Sequence, residues 1–376
     1  MANKKSKRGK PPSANTKRIL WGKTAGICEF SGCDERLFYD DTTAFKFNSA
    51  YYAHIVSSDP NGPRGNKDSH KLSQDIDNLM LMCDKHHRMI DNDEEKYTVK
   101  ILKEMKKEHE DRIDKIYSYL NSNKVKVINF SSPIRGNISV DIDYNKTARA
   151  VFPNHQPYDE FGIDIKIKSK KEYGSLEYWA EVIEEMKFEY TSKVLAWIQR
   201  VPEMNFAIFP LAPIPLLMKL GELFGDKNSV YVYQKTRDPD TWEWQSRANT
   251  NKFLIEKEDE NEDGVDVILI LSLTDYISKD RIPCEIAPKA VYTIKAKNKG
   301  VDCIKSELDL SEFWHKYQEV FDEILNKYGK DTIVHLFPAM PVSAAFEVGR
   351  RRMPVYPKTI VYEDVEGFKV ALYLGE

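Results

Sequence analysis

Two short-spaced pairs of potential metal ligands lie about fifty residues apart in the N-terminal third of the sequence. They read Cys28-x4-Cys33 and Cys83-x2-His86. Zn²⁺ prefers four sulfur or nitrogen ligands in a tetrahedron, commonly supplied as two such pairs. The spacing predicts a structural zinc site that joins two loops. The alternative interpretation is a set of buried free cysteines.

Three further polar residues lie between these pairs or directly after them, namely His54, Asn78 and His87. Hydrolysis of a phosphodiester needs a base that activates water and a divalent metal that stabilises the developing charge. Histidine accepts protons near neutral pH, so His54 is the candidate base. We expect Asn78 to hold the His54 ring by a hydrogen bond, and His87 to bind the catalytic metal from the start of a helix. Only the x2 spacing after Cys83 assigns zinc to His86 rather than to His87.

The stretch from Ile19 to about Leu120 resembles the HNH, or ββα-metal, endonucleases, in the subtype that carries a zinc knuckle. The resemblance implies a DNA endonuclease that uses Mg²⁺ or another divalent metal. It makes His54 the general base, Asn78 the orienting residue and His87 a ligand of the catalytic metal. The implied ligands of structural Zn²⁺ are Cys28, Cys33, Cys83 and His86.

One position departs from the pattern of that family. Many members place an acidic residue or a histidine, as a second metal ligand, immediately before the first histidine of the motif. This sequence has Ala53 there. We expect a water molecule, Asp77 or Asp59 to fill that coordination position.

The segment from Met1 to Lys23 contains eight lysine or arginine side chains and no acidic residue. A segment of this kind suits a phosphate backbone, because the counterions that it displaces favour binding. A disordered, solubilising tail is the other interpretation.

The length of 376 residues and the hydrophobic content of 41% fit two or three domains. We predict a basic flexible arm at 1–17, an α+β, zinc-stapled HNH module at 18–120, a linker containing strands at 121–149, and an α/β domain at 150–376. No apolar run is long enough for a transmembrane helix, and the start lacks the apolar core of a secretory signal. Five cysteines in a long chain do not form a disulfide framework, so a cytoplasmic protein is expected.

From about residue 160 the apolar pattern alternates between strands and helices, which predicts mostly parallel sheets. The predicted strands are 163–167, 206–209, 230–233, 265–273 and 291–294, and the predicted helices are 176–198, 214–223 and 310–328. In the N-terminal module, a helix over 98–120 is predicted from the spacing of Ile101, Met105, Ile113 and Ile116.

An internal repeat lies within the α/β part. Phe209-Pro210-x-x-Pro213, followed by Gly221, matches Phe337-Pro338-x-x-Pro341, followed by Gly349, with the same sequence offset at every position. Each copy lies between a predicted strand and a helix. The repeat predicts two pseudo-equivalent halves that face each other, although coincidence between proline-rich turns is the alternative.

The turns of this repeat are candidate ligand sites, because helix N-termini beyond the carboxyl ends of strands favour anionic groups. Aromatic and basic residues that follow the first copy can stack on bases or bind phosphates. Sheet packing is an equal alternative for the two tryptophans. The candidate ligand-binding residues are Pro213, Tyr233, Lys235, Trp242, Trp244, Phe337 and Pro341.

This half resembles the SAVED domain, which consists of two fused CARF-like Rossmannoid units. The resemblance rests on residues 207–215, 335–345 and 360–363 and covers about 150–376. HNH followed by SAVED resembles the effector nucleases of CBASS anti-phage systems. The resemblance implies a cyclic di- or trinucleotide made by a partner nucleotidyltransferase, assembly into an active homo-oligomer (a dimer or tetramer), and cleavage of double-stranded DNA with little sequence preference.

Two other functions remain open at this point. The chain could be an HNH restriction-type endonuclease whose C-terminal half reads modified DNA, but the acidic balance of that half argues against a DNA reader. It could also be a zinc-dependent DNA-binding protein with a degenerate active site, which only Ala53 favours.

Overall fold

The computed structural model describes residues 8–40, 42–43, 45–135, 141–227, 229–258, 261 and 263–375. The chain divides into two compact units, Met1–Asn121 and Ser122–Glu376. Among the described residues, no helix combines the length and the apolarity needed to cross a membrane.

Unit 1 is an α+β module built on a small antiparallel hairpin. Its elements are α1 (Ala14–Thr24), β1 (Tyr51–His54), α2 (Ser69–Leu72), β2 (Leu79–Met82), α3 (Asp84–Asn92) and α4 (Val99–Leu120). β1 pairs antiparallel with β2, and α3 follows β2 directly. All four residues of β2 are buried, because this strand crosses the small core of the unit. The order of strand, strand and helix is the ββα arrangement that the sequence predicts.

The N-terminal segment differs from the predicted flexible arm at 1–17. Residues 1–7 lie outside the described part of the chain. From Gly9 onward the segment is bonded to the module: Gly9 N–H donates to Ser58 O at 2.8 Å, and Gln74 Nε2 donates to Pro11 O at 2.8 Å. Ser13 then caps α1, which begins at Ala14. The prediction of a flexible arm is therefore wrong for residues 9–17.

Helix α4 forms where the sequence predicts it, and Ile113 and Met105 pack as predicted, but its buried face is shifted away from Ile101 and Ile116. Its buried residues are Leu102, Lys106, His109 and Ile113. Ile116 is 47% exposed. The buried Lys106 ammonium lies 2.6 Å from Glu110 and 3.6 Å from the buried Glu29. An ion-paired lysine is thus buried at a position that the predicted apolar pattern does not include.

Unit 2 begins with a five-stranded parallel sheet. The elements of its first part are β3 (Asn123–Ser131), α5 (Tyr144–Ala150), β4 (His155–Pro157), β5 (Ile163–Lys166), α6 (Leu176–Glu189), a π-helical turn (Tyr190–Leu195), α7 (Ala196–Arg200), β6 (Asn205–Leu211), α8 (Ile214–Phe224) and β7 (Val230–Val232). The strand order is β4-β3-β6-β7, with β5 also paired to β3. The strand content predicted for 121–149 is confirmed by β3, but β3 lies inside this sheet, so the assignment of the segment as a linker is wrong.

The second part of unit 2 forms a six-stranded mixed sheet. Its elements are β8 (Phe253–Lys257), β9 (Asp266–Ser272), β10 (Pro288–Ala296), α9 (Glu307–Tyr328), β11 (Val334–Ala339), α10 (Val342–Arg350), β12 (Thr359–Asp364) and β13 (Phe368–Leu374). The order is β13-β12-β11-β9-β10-β8, parallel at the centre and antiparallel at both edges. The prediction of an α/β domain with mostly parallel sheets is confirmed.

The two copies of the repeat pack against each other through α8 and α10. A Cβ atom on Gly221 would lie 2.1 Å from Phe346 O, and a Cβ atom on Gly349 would lie 1.8 Å from Met218 O. Met218 and Phe346 are themselves equivalent positions of the two copies, so the contact is reciprocal. The repeat therefore reflects two pseudo-equivalent halves that meet at their glycines, as the sequence predicts.

Replacement of Gly349 by alanine is expected to destabilise unit 2 by about 1–3 kcal/mol, because the methyl group would force two closely packed helix backbones apart. The measurement is urea unfolding of the full chain. Gly22→Ala is the matched control, since Gly22 also lies in a helix but a Cβ there meets nothing within 4 Å. Equal unfolding midpoints for both variants would show that the reciprocal contact contributes nothing.

Candidate functional site

The four residues of the two sequence pairs come together in unit 1. The ligand atoms of Cys28, Cys33, Cys83 and His86 all lie within 4.8 Å of one another. His86 Nδ1 lies 3.7 Å from Cys28 Sγ and 3.1 Å from Cys83 Sγ. His86, rather than His87, is therefore the histidine of this cluster.

The geometry of this cluster fits a tetrahedral ion. With Zn–S bonds of about 2.3 Å, neighbouring ligand atoms are about 3.8 Å apart, which is close to the distances in the cluster. Cys28 and Cys83 are at most 1% exposed. Within the described parts of the chain, no other group of three or more His, Cys, Asp or Glu side chains meets the same requirement. Three thiolates and one imidazole nitrogen are a donor set that suits structural Zn²⁺.

Local hydrogen bonds hold the two loops of the cluster in place. Cys28 N–H donates to Glu35 O at 3.1 Å, and Cys33 N–H donates to Phe30 O at 2.9 Å, which closes a turn. The Phe30 ring stacks on the His86 ring with 4.2 Å between centroids. The first loop therefore contacts the start of α3 through both its cysteines and its aromatic residue.

His54 is the last residue of β1, where it pairs with Leu79. Its Nε2 atom lies 3.0 Å from Ser73 O. A carbonyl oxygen only accepts hydrogen bonds, so Nε2 carries the proton and Nδ1 is the basic nitrogen. Burial lowers the pKa of the His54 imidazole below its ordinary value. The ring is therefore neutral at pH 7 and can act as a base through Nδ1.

Asn78 makes its hydrogen bonds to the backbone rather than to the His54 ring. Oδ1 accepts from Val56 N–H at 2.8 Å, and Nδ2 donates to Val56 O at 2.9 Å and to Leu72 O at 3.2 Å. Leu72 directly precedes Ser73, whose carbonyl group accepts from His54. The expectation of a direct bond is wrong, and Asn78 instead positions His54 by fixing the loop that holds its ring.

His87 lies in the first turn of α3 with a carboxylate one turn further along. His87 Nε2 and Asp91 Oδ2 are 3.7 Å apart. The His87 ring stacks on Tyr51 of β1 with 5.1 Å between centroids. The charges of His87 and Asp91 both act on His54, the former lowering and the latter raising its pKa. His54 therefore lies within electrostatic range of both His87 and Asp91.

Asp91 is a residue that the sequence analysis missed. Its i+4 spacing from His87 on an expected helix was the available signal, because such residues lie on the same helix face. Asp77 is exposed and its charge acts on Lys23, while the Asp59 carboxylate accepts from Asn61 N–H. The geometry thus favours Asp91, rather than Asp59 or Asp77, as the carboxylate of the site.

Arg64 connects the elements on which this site is built. Its guanidinium group, 4% exposed, donates to Ile55 O at 2.7 Å, to Ile90 O at 2.5 Å and to Asp91 Oδ1 at 2.8 Å. Ile55 follows β1 and Ile90 lies in α3. Arg64 therefore fixes the distance between the strand that carries His54 and the helix that carries Asp91.

A cavity of about 310 Å³ lies between the two halves of unit 2, at the turns of the repeat. Pro213 and Pro341, which precede the first turns of α8 and α10, both line it. Three basic residues line it as well: Arg135, Lys235 and Arg237. Of the residues proposed from the sequence as ligand-binding, the structure places Pro213, Lys235 and Pro341 here.

The aromatic residues proposed for the same site lie elsewhere. Tyr233, Trp242 and Phe337 are at most 3% exposed. Tyr233 stacks on Phe209, and Trp242 meets the same ring edge-on. Trp244 is partly buried against the same cluster. None of the four residues lines the cavity, and Tyr233, Trp242 and Phe337 are core residues, so the expectation that these three contact a ligand is wrong.

The cavity also carries acidic residues that the sequence analysis missed. Glu363 at the end of β12 accepts a hydrogen bond from Tyr173 Oη at 2.7 Å. Burial raises the pKa of its carboxyl group to about 7. Glu363 and Lys235 occupy equivalent positions of the repeat, since the same offset separates them. The two halves therefore present a lysine and a protonatable carboxyl group to the cavity from equivalent positions.

Comparison with known proteins bears on unit 2. Residues 191–374 match the model of the family described as SMODS-associated and fused to various effectors sensor domain, or SAVED. No curated protein matches the chain. One similar solved structure is the Acinetobacter baumannii Cap4 SAVED/CARF-domain containing receptor with the cyclic trinucleotide 3'3'3'-cAAA, at 11% identity, a TM-score of 0.43, and coverage of 82% of this chain and 66% of that chain.

The Moraxella osloensis Cap4 SAVED/CARF-domain containing receptor is similar at 14% identity, with a TM-score of 0.39 and coverage of 77% of this chain and 60% of that chain. The chain thus spans less than two thirds of the length of these two receptors. On the strength of the family match, unit 2 contains a SAVED sensor domain.

Proposed function

We propose that this protein is a metal-dependent DNA endonuclease of the HNH type that a cyclic di- or trinucleotide activates, and that it acts as an effector of anti-phage defence. The observation that carries the nuclease assignment is the position of His54. Its Nε2 is held by Ser73 O while Nδ1 stays basic, next to His87 and Asp91 on a ββα module. The family match of unit 2 supports control by a second messenger.

In this proposal His54 Nδ1 takes the proton of the attacking water. His87 and Asp91 are the residues that would hold a divalent cation, and their separation of 3.7 Å allows both to bind one ion. Mg²⁺ commonly keeps several water ligands and binds few protein groups, so two protein ligands are compatible with it. When bound, the cation supplies charge stabilisation at the phosphate. Asn78 would position the loop that bonds His54, and Arg64 would position Asp91.

The ligand would bind in the cavity between the repeat turns. The N-termini of α8 and α10 and the three basic side chains favour phosphate groups there. Two equivalent turns suit a cyclic ligand with repeated phosphates. Binding that draws the two halves and neighbouring subunits together would shift the enzyme towards its active assembly, which we expect to be a dimer or tetramer.

The test is cleavage of plasmid DNA with Mg²⁺, with and without a panel of cyclic di- and trinucleotides, alongside light scattering. We expect little cleavage until one ligand is added, and an increase in mass when it is. Equal cleavage without ligand, at constant mass, would contradict the gating. Cleavage that depends on modified DNA bases would favour the restriction-type alternative, and DNA binding without cleavage in any metal would favour a zinc-dependent DNA-binding protein.

Lys235→Ala is expected to raise the ligand concentration for half-maximal cleavage by about tenfold or more, because hydrogen bonds to charged groups contribute about 1.5–3 kcal/mol. Lys146→Ala is the matched control. Lys146 and Lys235 both pair with Asp240, but Lys146 does not line the cavity. If the two variants require the same ligand concentration, the cavity is not the activator site.

A further inference from the structure

The N-terminal segment lies beside the residue that holds the candidate base. Gly9 packs so closely on Ser73 that an added Cβ would lie 2.6 Å from Ser73 Cβ and 3.3 Å from His70 Cα. Ser73 O accepts the hydrogen bond from His54 Nε2. Ser73 therefore contacts this segment on one side and bonds the His54 ring on the other.

Hydrogen bonds and helix packing fix the segment along its length. Gly9 N–H donates to Ser58 O, and Pro11 O accepts from Gln74. Further along, α1 is tied to the hairpin, because Trp21 Nε1 donates to Tyr52 Oη at 2.9 Å. The segment from Gly9 to Trp21 is thus an ordered part of unit 1 that packs against the rest of the module.

The side chains on either side of Gly9 are basic and exposed. Arg8 and Lys10 flank the half-buried glycine. The Arg8 charge acts on His54, which places the guanidinium group near the candidate active site. The residues adjacent in the sequence add no acid, since the stretch from Met1 to Lys23 contains none. This end of the module therefore combines the candidate base with positive charge.

We infer that residues 8–11 form a DNA-backbone binding site beside His54, in which Arg8 and Lys10 contact phosphates that flank the scissile bond and Gly9 allows the segment to dock. The inference rests on the proposed nuclease function and deepens it. Phosphate contacts fix the register of a protein on DNA without reading its sequence. Such a site would direct any phosphodiester towards the base, which suits an enzyme with little sequence preference.

The first experiment measures binding of duplex DNA by fluorescence anisotropy at several salt concentrations, with cleavage blocked by His54→Ala. Adding Arg8→Ala and Lys10→Ala should lower the slope of log affinity against log salt by about 2, because each phosphate contact contributes about 0.9. An unchanged slope would overturn the inference. DNA binding is read independently of cleavage, so failure of the nuclease proposal shows separately, as wild-type protein that binds DNA and does not cut it.

The second experiment disrupts the contact between Gly9 and Ser73 and leaves Arg8 and Lys10 unchanged. Gly9→Ala should lower kcat/KM for ligand-activated cleavage by about tenfold or more, because a displacement of the substrate near the reacting groups has effects of this size. Gly22→Ala, with open space around the added methyl group, should cut DNA like wild type. If Gly9→Ala cuts as well as Gly22→Ala, docking is irrelevant. If Gly9→Ala cuts faster, the segment obstructs the site and the inference is also wrong.

Discussion

His54→Ala is expected to lower the rate of ligand-activated DNA cleavage by about 10²–10⁴-fold, the usual contribution of a general base. The imidazole is half-buried and its ring makes one hydrogen bond, to Ser73 O. Removal of the ring therefore leaves no large cavity, and the variant should fold and keep its metal. The measurements are the cleavage rate, the zinc content and the thermal unfolding of wild-type protein and of His54→Ala.

The matched control for this variant is His315→Ala, since His315 is an exposed histidine on α9. It should cleave DNA like wild type. The pH profile gives a second readout: burial lowers the pKa of His54, so the basic form survives below the ordinary histidine pKa of 6.5. The acid limb of the wild-type profile should therefore lie below pH 6.5. Near wild-type cleavage by folded His54→Ala would show that His54 is not the general base and would contradict the HNH-type active site.

The sequence was informative where chemistry requires particular residues at particular spacings. Two ligand pairs and an i, i+3 step were enough to group Cys83 with His86. It was less informative where an indirect contact decides a role. Asn78 bonds the carbonyl of Leu72, next to Ser73, whose carbonyl bonds the His54 ring, and the path of that loop has no signature in residue spacing.

Buried ion pairs explain two of the errors made from apolar patterns. Lys126 in β3 is 3% exposed because Asp159 pairs with it, so a central strand reads as a half-polar linker. Lys106 in α4 is buried beside Glu110 and Glu29, on a helix face that excludes Ile116. A charged residue can be buried when its partner comes from elsewhere in the fold, and a local pattern does not contain that partner.

The ligand site shows a related limit. The repeat predicted two facing halves, and the reciprocal contact of Gly221 and Gly349 gives the physical reason for its glycines. The repeat does not predict which side chains near the turns face the cavity. Lys235 lines it, whereas Tyr233, two residues earlier, stacks on Phe209 in the core. Both residues follow the end of β7, in backbone without regular structure, where residue spacing does not determine which side chain faces the cavity.

Loss of the cysteine and histidine cluster is expected to unfold unit 1 while unit 2 stays folded. In small zinc domains the free energy of metal binding is folding free energy, on the order of 10 kcal/mol. The hydrophobic core of unit 1 is small, and Cys83 joins the end of β2 to the start of α3. Cys83→Ser should therefore separate the strand that follows Asn78 from the helix that carries His87. Cleavage would be lost although every proposed catalytic residue is still present.

The pKa values of the buried thiols also link the stability of this cluster to a bound metal ion. Without an ion, burial raises the pKa of the Cys28 and Cys83 thiols, so these two groups would be protonated. A bound Zn²⁺ ion keeps such thiols deprotonated, and acid or a strong chelator should therefore release it. The measurements are elemental analysis, limited proteolysis of unit 1, and calorimetric binding of the cyclic nucleotide, which unit 2 should retain.

Cys284→Ser is the control for this experiment, because Cys284 is an exposed cysteine outside the cluster. It should keep the zinc, the protease resistance of unit 1 and the cleavage activity of wild type. Two results would contradict the prediction: wild-type protein purified without zinc, or Cys83→Ser that resists protease as well as Cys284→Ser does. In either case the buried thiols would be ordinary core residues, and the apolar core alone would have to hold His54 and His87 in place.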